Sequence, residues 1–339
     1  MNRLGYFLRR LLLSIPVILF ATTITFIALR MGPIDPASAI IGEETDAATY
    51  REIERSLGLH KPLWEQYIDY MVGLFTLDLG RSWVLHPGTD ANALILSYGP
   101  RTLYLGFWAV LISLFVGIPL GFYAGLNPNT WGDYAVSFGG IVWRAMPNFW
   151  LAVIVVTILT SSQRYMFGFD YQSWIIEAPI VTAPPMGDFF TLEGFLIATK
   201  MTLPAAIVLG SASMGSEMRI GRTAVLETVN SNYVETAKAK GVSGRLLVWK
   251  HIFRNALIPL IPVITYEAFL LIGGSVLVET VFGHNGLGYL FFQACIQGDL
   301  PLVGSLMFIF ILLLVFINIL QDLLYTLVDP RVGYEGGAA

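Results

Sequence analysis

The chain has 339 residues, of which 55% are apolar and 13% are charged, and it carries a net charge of −4 with histidine neutral. Such an apolar composition excludes an ordinary soluble globular protein, and the acidic balance argues against nucleic acid as a partner. The single cysteine, Cys295, excludes an intrachain disulfide and a cysteine-based metal site.

Six segments are apolar and long enough to cross about 30 Å of hydrocarbon as helices. Four contain no charged residue, and two are interrupted, by Lys200 and by Glu267. In chain order the segments are residues 11–29, 102–132, 145–163, 194–216, 255–278 and 300–321. The first resembles a signal peptide, but its apolar stretch continues to Leu29 without a small-residue cleavage site, which favours an uncleaved helix. The sequence therefore predicts an all-α, polytopic membrane protein of about six transmembrane helices, with residues 1–339 forming one membrane domain.

The charges of the loops predict the orientation. Residues 31–100 carry ten acidic and four basic residues, whereas residues 219–255 carry seven basic and two acidic ones. Basic loops stay in the cytoplasm. We therefore expect 31–100 to be an external loop, 219–255 to be cytoplasmic, and both termini to be cytoplasmic.

Both external loops have recognisable features. Within 31–100, residues 47–57 and 63–74 are predicted to form short helices, separated by Gly58 and Pro62. The second external loop, 161–199, is rich in aromatic residues and proline. Partner binding is one interpretation of it, but interfacial packing is favoured because aromatic residues concentrate at membrane surfaces.

One segment of the cytoplasmic loop predicts a short, capped helix. Asn232 can serve as its N-cap with Glu235 three residues later, Lys238 and Lys240 lie in its last turn, and Gly241 ends it. Ser243 offers a second cap for the helix that returns to the membrane. Such a helix suits insertion into a cleft of a cytoplasmic partner, while a solvated basic loop is the alternative.

Charged residues inside predicted spans are functional candidates because their insertion is costly. Glu267 lies deepest; it either lines a translocation path or bonds to a neighbouring helix. Arg144 is interpreted as a structural residue that snorkels towards the interface. Glu217 and Arg219 are expected at the interfacial end of the fourth span.

The sequence does not predict an enzyme. No Gly-Lys pair is present to form a phosphate-binding loop, and no nucleophile elbow occurs. The four histidines are far apart, so neither a catalytic site nor a metal site is predicted. They are His60, His86, His251 and His284.

Glu235-Thr236-Ala237 and Gly241 match the pattern Glu-Ala-Ala, three residues, then Gly, with Thr236 replacing one alanine. This pattern resembles the coupling-loop signature of binding-protein-dependent ABC importer permeases, in the form found in dipeptide, oligopeptide and nickel permeases. Matching residues elsewhere include Leu57 to Ser82 of the first external loop, Pro147, Phe149, Trp150, Arg254, Asn255, Pro259, Glu279, Phe282, Gly286, Gly288, Asp299, Pro301, Asp322 and Asp329. The sequence departs from the family at Asn285, where a proline is usual.

The resemblance implies a type I importer fold and, besides membrane lipid, three kinds of protein partner: a homologous second permease in the membrane, two cytoplasmic ATPase subunits that hold ATP and Mg²⁺, and an external solute-binding protein. No cofactor is expected in this chain. It implies ATPase coupling through the residues Glu235, Thr236, Ala237, Lys238, Lys240 and Gly241. Glu267 and Pro147 are candidates for the translocation path.

Di- or oligopeptides are the expected solutes, with oligosaccharides and nickel as alternatives within the family. An ion-coupled secondary transporter is the alternative from a different class. It would use Glu267 and Glu279 as coupling sites and would work without ATPase subunits.

Overall fold

The structure is a computed structural model that describes residues 3–32, 37–38, 47–175, 180–272 and 276–328. Helices joined by turns make up this part of the chain, with no strand in it. Five helical segments in it are long and apolar enough to cross a membrane, and a bent pair of helices supplies a sixth span. The prediction of about six spans is thus confirmed.

The first three spans follow chain order. Helix α1 is Arg3–Arg30, and in the long loop α2 is Ala47–Ser56 and α3 is Leu63–Thr76. Helix α4, Ala91–Leu126, is the second span and contains one π-helical turn. Helices α5, Trp131–Ala145, and α6, Asn148–Thr160, form the bent pair.

The remaining helices complete the bundle. They are α7, Leu192–Val229; α8, Asn232–Ala239; α9, Ile261–Ile272; α10, Val276–Phe282; α11, Leu287–Gln297; and α12, Leu300–Val328. Two short helices, Ser162–Tyr165 and Tyr171–Ile175, lie in the loop before α7. Short helical turns from Gly244 to Leu260 lead into α9, so that Gly244–Phe269 is the fifth candidate span.

The third span differs from the prediction. Residues 145–163 were expected to form one helix, but the span begins at Trp131 and bends by 95° between α5 and α6. Met146 is extended, with a ψ of 127°, and Pro147 precedes α6 as its N-cap. A residue before proline avoids the helical region, and proline has no N–H to continue a helix. The break therefore follows from Met146-Pro147.

Helix α7 lies at the centre of the bundle and packs against α4, α5, α6, α9 and α10. Close approach requires glycine at two points. A Cβ on Gly210 would lie 2.3 Å from the Ala109 carbonyl oxygen of α4, and one on Gly215 would lie 2.5 Å from that of Gly140 in α5. Small residues let membrane helices approach closely in this way.

The length of α7 corrects the expectation for Glu217. The helix continues to Val229, twelve residues past Glu217, so this residue is not at the end of its span. Its exposed fraction is 1%, and it is enclosed by the bundle rather than interfacial. Arg219, two residues further along the helix, is exposed on the surface of α7.

The long loop is attached to the bundle by Asp299, which is fully buried before α12. Its carboxylate accepts hydrogen bonds from the Ser82 hydroxyl (2.5 Å) and from the backbone N–H groups of Trp83, Val84 and Leu85 (3.0–3.2 Å). The two predicted loop helices are confirmed within two residues at each end, and Gly58 between them has a φ of +69°.

In the second loop, α7 begins at Leu192, two residues before the predicted span, and the Thr191 hydroxyl accepts the Gly194 N–H at 3.0 Å.

At the opposite end of the bundle from the start of α7, Arg10 of α1 pairs with Asp322 of α12. The start of the first span and the end of the last therefore lie at the same end, as an even number of spans requires.

Candidate functional site

Helix α8 has one face anchored in its own chain. Val234 is fully buried and Ala237 is 7% exposed, and both belong to an apolar core with Val225 of α7 and with Leu247 and Ile252 of the segment that leads to α9. The helix is thereby attached to two spans at once. A displacement of α8 would be transmitted to both because packed cores deform little.

The other face of α8 is exposed. Of the predicted coupling residues, Glu235, Thr236, Lys238, Lys240 and Gly241 are exposed, whereas Ala237 points into the core. The small alanine thus permits close approach to the protein's own chain, not to a partner. The exposed residues carry both signs of charge on a helix of eight residues, about 12 Å long.

The start of α8 differs from the prediction. The N-cap is Ser231, one residue before Asn232, and no side chain caps the helix there. The Ser231 hydroxyl instead donates to the Thr228 carbonyl oxygen at 2.6 Å. Ser243 does occupy the predicted second N-cap position, also without a side-chain bond.

The end of α8 is a complete Schellman motif. Gly241 donates its N–H to the Lys238 carbonyl oxygen at 2.9 Å, and Val242 donates to Ala237 at 3.2 Å. Gly241 has a φ of +74°, which L residues with side chains rarely adopt. The glycine of the motif is required by this turn.

The two candidate path residues lie near each other but differ in role. Glu267 of α9 lines a cavity of about 620 Å³ between α7, α9 and the break in the third span. Pro147 does not line this cavity; it fixes the break, and its neighbour Asn148 lies in the wall.

The sequence does not predict that other charged residues lie at this cavity beside Glu267. Arg144 and Arg219 line it, and the buried Glu217 adjoins Glu267. Their presence inside apolar segments was the available signal, since charges within spans usually face a cavity or a partner helix. Sequence alone could not place them together because they come from three different helices.

Glu279, the other proposed ion-coupling site, has a structural role. It is fully buried beyond the fifth span, accepts the Tyr289 N–H at 2.7 Å at the start of α11, and accepts the Thr102 hydroxyl at 3.1 Å. Burial raises the pKa of its carboxyl to about 7. A Cβ on Gly286 would lie 2.7 Å from its oxygen, which explains the glycine there.

Two family models cover nearly the whole chain. "Binding-protein-dependent transport system inner membrane component" matches residues 117–334, and "Binding-prot-dependent transport system membrane comp, N-term" matches residues 3–116. These families are transport components rather than enzymes, in agreement with the prediction that this chain is a permease subunit.

Curated relatives align end to end with the chain. It is 33% identical to the dipeptide transport system permease protein DppB of Alkalihalophilus pseudofirmus, over 98% of this chain and 100% of that protein. It is 31% identical to the oligopeptide transport system permease protein AppB of Bacillus subtilis, over 97% of this chain and 99% of that protein.

Among solved structures, an inward-facing form of the MetNI methionine ABC transporter shares the fold, with a TM-score of 0.51, 19% identity, and coverage of 70% of this chain and 97% of that one. This likeness confirms the type I importer fold. The extent of the family match shows that the chain belongs to the inner membrane components of binding-protein-dependent transport systems.

Proposed function

We propose that this protein is a permease subunit of an ATP-driven importer for di- or oligopeptides and that it forms the translocation path with a second, homologous permease. Relatives named as dipeptide and oligopeptide permeases support the choice of solute. The observation that carries the proposal is α8, a rigidly seated helix with an exposed charged face.

Coupling to ATP hydrolysis would use this exposed face. Glu235, Thr236, Lys238 and Lys240 would contact a cleft in a cytoplasmic ATPase subunit, which holds ATP and Mg²⁺. Val234 and Ala237 would carry the motion into α7 and towards α9. The basic character of 219–255 supports its cytoplasmic position and that of both termini.

A second permease is supported by the surface of the bundle. Arg144 and Arg219 are exposed on helices that cross the membrane, and neither forms an ion pair within the described chain. Exposing cations to lipid costs several kcal/mol each. A partner permease and a hydrated path between the two chains would shield them, with Glu267 on the path and Pro147 fixing its wall.

Reconstitution tests the proposal. The chain should co-purify with a homologous permease and two ATPase subunits, and proteoliposomes of this complex should accumulate labelled dipeptide only with ATP and binding protein. Unlabelled oligosaccharide or nickel should not compete. Uptake by this chain alone under an ion gradient would instead support the secondary transporter.

A matched pair of variants tests the role of α8. Glu235→Arg should abolish uptake and leave membrane insertion intact, because it reverses a charge on the exposed face. Glu193→Arg reverses an exposed charge at the start of α7, far from α8, and should retain uptake. Equal uptake by both variants would contradict coupling through α8.

A further inference from the structure

The cavity beside Glu267 has a polar lining that contains both signs of charge. It is formed by α7, α9 and the break between α5 and α6, and its volume is about 620 Å³. Its polar wall includes Arg144, Asn148, Ser213, Ser216, Arg219 and Glu267. This volume is within the range of sites that hold small molecules.

The acidic side of the cavity is a pair of carboxyl groups. Glu217 and Glu267 lie within hydrogen-bonding reach of each other, and Ser216 adjoins Glu267. Glu217 is 1% exposed, and a Cβ on the neighbouring Gly117 would lie 2.4 Å from its Oε2, so α4 holds it in place. The Oε2 atoms of both residues are buried without a hydrogen-bond partner in the described chain.

Two carboxyl groups in contact inside a membrane protein cannot both be ionised at low cost. One proton shared between them satisfies one oxygen of each and leaves a single negative charge. Glu217 is enclosed by the bundle, whereas Glu267 lines the cavity. The negative charge of the pair therefore faces the cavity at Glu267.

The basic side consists of Arg144 and Arg219. Arg144 is near enough to Glu267 to interact with it electrostatically, yet no nitrogen–oxygen contact of an ion pair joins them. Both guanidinium groups therefore retain donors for an anion. The cavity thus presents one anionic and two cationic groups, separated rather than neutralised.

From this arrangement we propose a transit site for a small zwitterion, in which the Glu217–Glu267 pair receives an ammonium group and Arg144 and Arg219 receive a carboxylate. The proposal rests on the proposed function and deepens it. It makes the permease itself selective for solutes with two free termini, in addition to any selection by the binding protein.

Protection of an introduced thiol from labelling tests the site directly, without the binding protein. Ser213→Cys places a thiol in the cavity wall, and Cys295→Ser removes the one native thiol. In the complete permease–ATPase complex, a small maleimide should label this cysteine about fivefold more slowly with a millimolar zwitterionic dipeptide present. The same dipeptide with an acetylated amine and an amidated carboxyl should protect less than about twofold.

Charge-removing variants identify the groups involved. Glu267→Gln and Arg144→Gln should each abolish protection, whereas Glu193→Gln, a matched substitution at an exposed position outside the cavity, should preserve it. Where Ser213→Cys prevents assembly, Ser216→Cys serves as the reporter.

The outcomes separate this inference from the proposed function. Equal protection by both forms of the dipeptide, or none by either, in a complex that still accumulates peptide with ATP, would overturn the transit site alone. An acidic residue of the partner permease paired with the arginines would give that result. Absence of ATP-driven uptake would overturn the proposed function instead.

Discussion

Arg222 of α7 and Asp133 of α5 form a two-point ion pair, with Nε 2.5 Å from Oδ1 and Nη2 2.8 Å from Oδ2. Asp133 is 1% exposed and also accepts the Asn129 N–H at 2.9 Å and the Ser137 hydroxyl at 3.2 Å. The pair fixes the start of the bent span against the central helix, near the end of the bundle that carries α8.

Loss of the arginine alone should be costly. Arg222→Met leaves the Asp133 charge buried and uncompensated, which should lower the free energy of unfolding by about 3 kcal/mol. The double variant Asp133→Asn/Arg222→Met removes both charges and should recover part of this loss. Thermal unfolding of the detergent-solubilised protein measures both, and an Arg222→Met variant as stable as the parent would refute the role of the pair.

The turn after α8 yields a prediction that separates backbone conformation from steric bulk. A Cβ on Gly241 would meet nothing within 4 Å, so a side chain fits, but the φ of +74° costs an L residue about 1–2 kcal/mol. Gly241→Val should therefore distort the turn, reduce peptide uptake and leave ATP hydrolysis uncoupled from it.

Gly241→Asn is the matched control because asparagine tolerates a positive φ. It should retain most uptake in the same proteoliposome assay. Loss of uptake in both variants would show that the exposed surface at residue 241, rather than its backbone conformation, is what the partner requires.

Asn285 adopts a φ of +46° in the turn before α11. Proline is confined to about −65°, so the residue usual in the family at this position cannot adopt the turn seen here. Asn285→Pro should lower the melting temperature, whereas Asn285→Gly should leave it nearly unchanged. A proline variant as stable as the glycine variant would show that the turn rearranges freely.

Local sequence signals predicted the isolated elements well. The end of α8 and the bounds of the two helices of the long loop follow from residues a few positions apart, such as Gly58, Pro62 and Gly241, which act through backbone conformation. These signals act between residues that are close in sequence and do not depend on the rest of the fold, so they can be recognised from the sequence alone.

Features that depend on several helices were missed. In the sequence the break at Met146-Pro147 is visible only as a proline within an apolar run, and Arg144 separates that run, residues 145–163, from the rest of α5. Two charged residues close together, Glu217 and Arg219, resemble the end of a span, so the sequence predicts an interfacial position for Glu217. Their environment is decided by α4, α5 and α9, which no local pattern specifies.

Two neighbouring buried groups should have opposite effects on stability as pH changes. Burial raises the pKa of Glu279 from 4.5 to about 7 and lowers that of His284 from 6.5 to about 4. His284 donates its backbone N–H to the Glu279 carbonyl oxygen at 2.8 Å, and its Nε2 lies 3.2 Å from the Arg101 carbonyl oxygen. Glu279 lies in α10 and His284 in the turn from α10 to α11, and both are beyond the fifth span.

The folded protein binds a proton at Glu279 more tightly than the unfolded chain, so this contribution to stability is lost as pH rises from about 4.5 to about 7. At His284 the unfolded chain binds the proton more tightly, so stability is lost as pH falls from about 6.5 to about 4. Each slope reaches about 1.4 kcal/mol per pH unit, and the two cancel where the ranges overlap.

Single variants should therefore reveal slopes that the parent protein conceals. Relative to the parent, the melting temperature of Glu279→Gln should fall more steeply on acidification from pH 6.5 to 4.5, because the Glu279 contribution that opposes the His284 contribution is removed. The melting temperature of His284→Gln should rise relative to the parent over the same range, because the His284 contribution is removed. Changes of the same sign in both variants would mean that at least one group titrates in the folded protein as it does in water, and the enclosed geometry around α11 would then be incorrect.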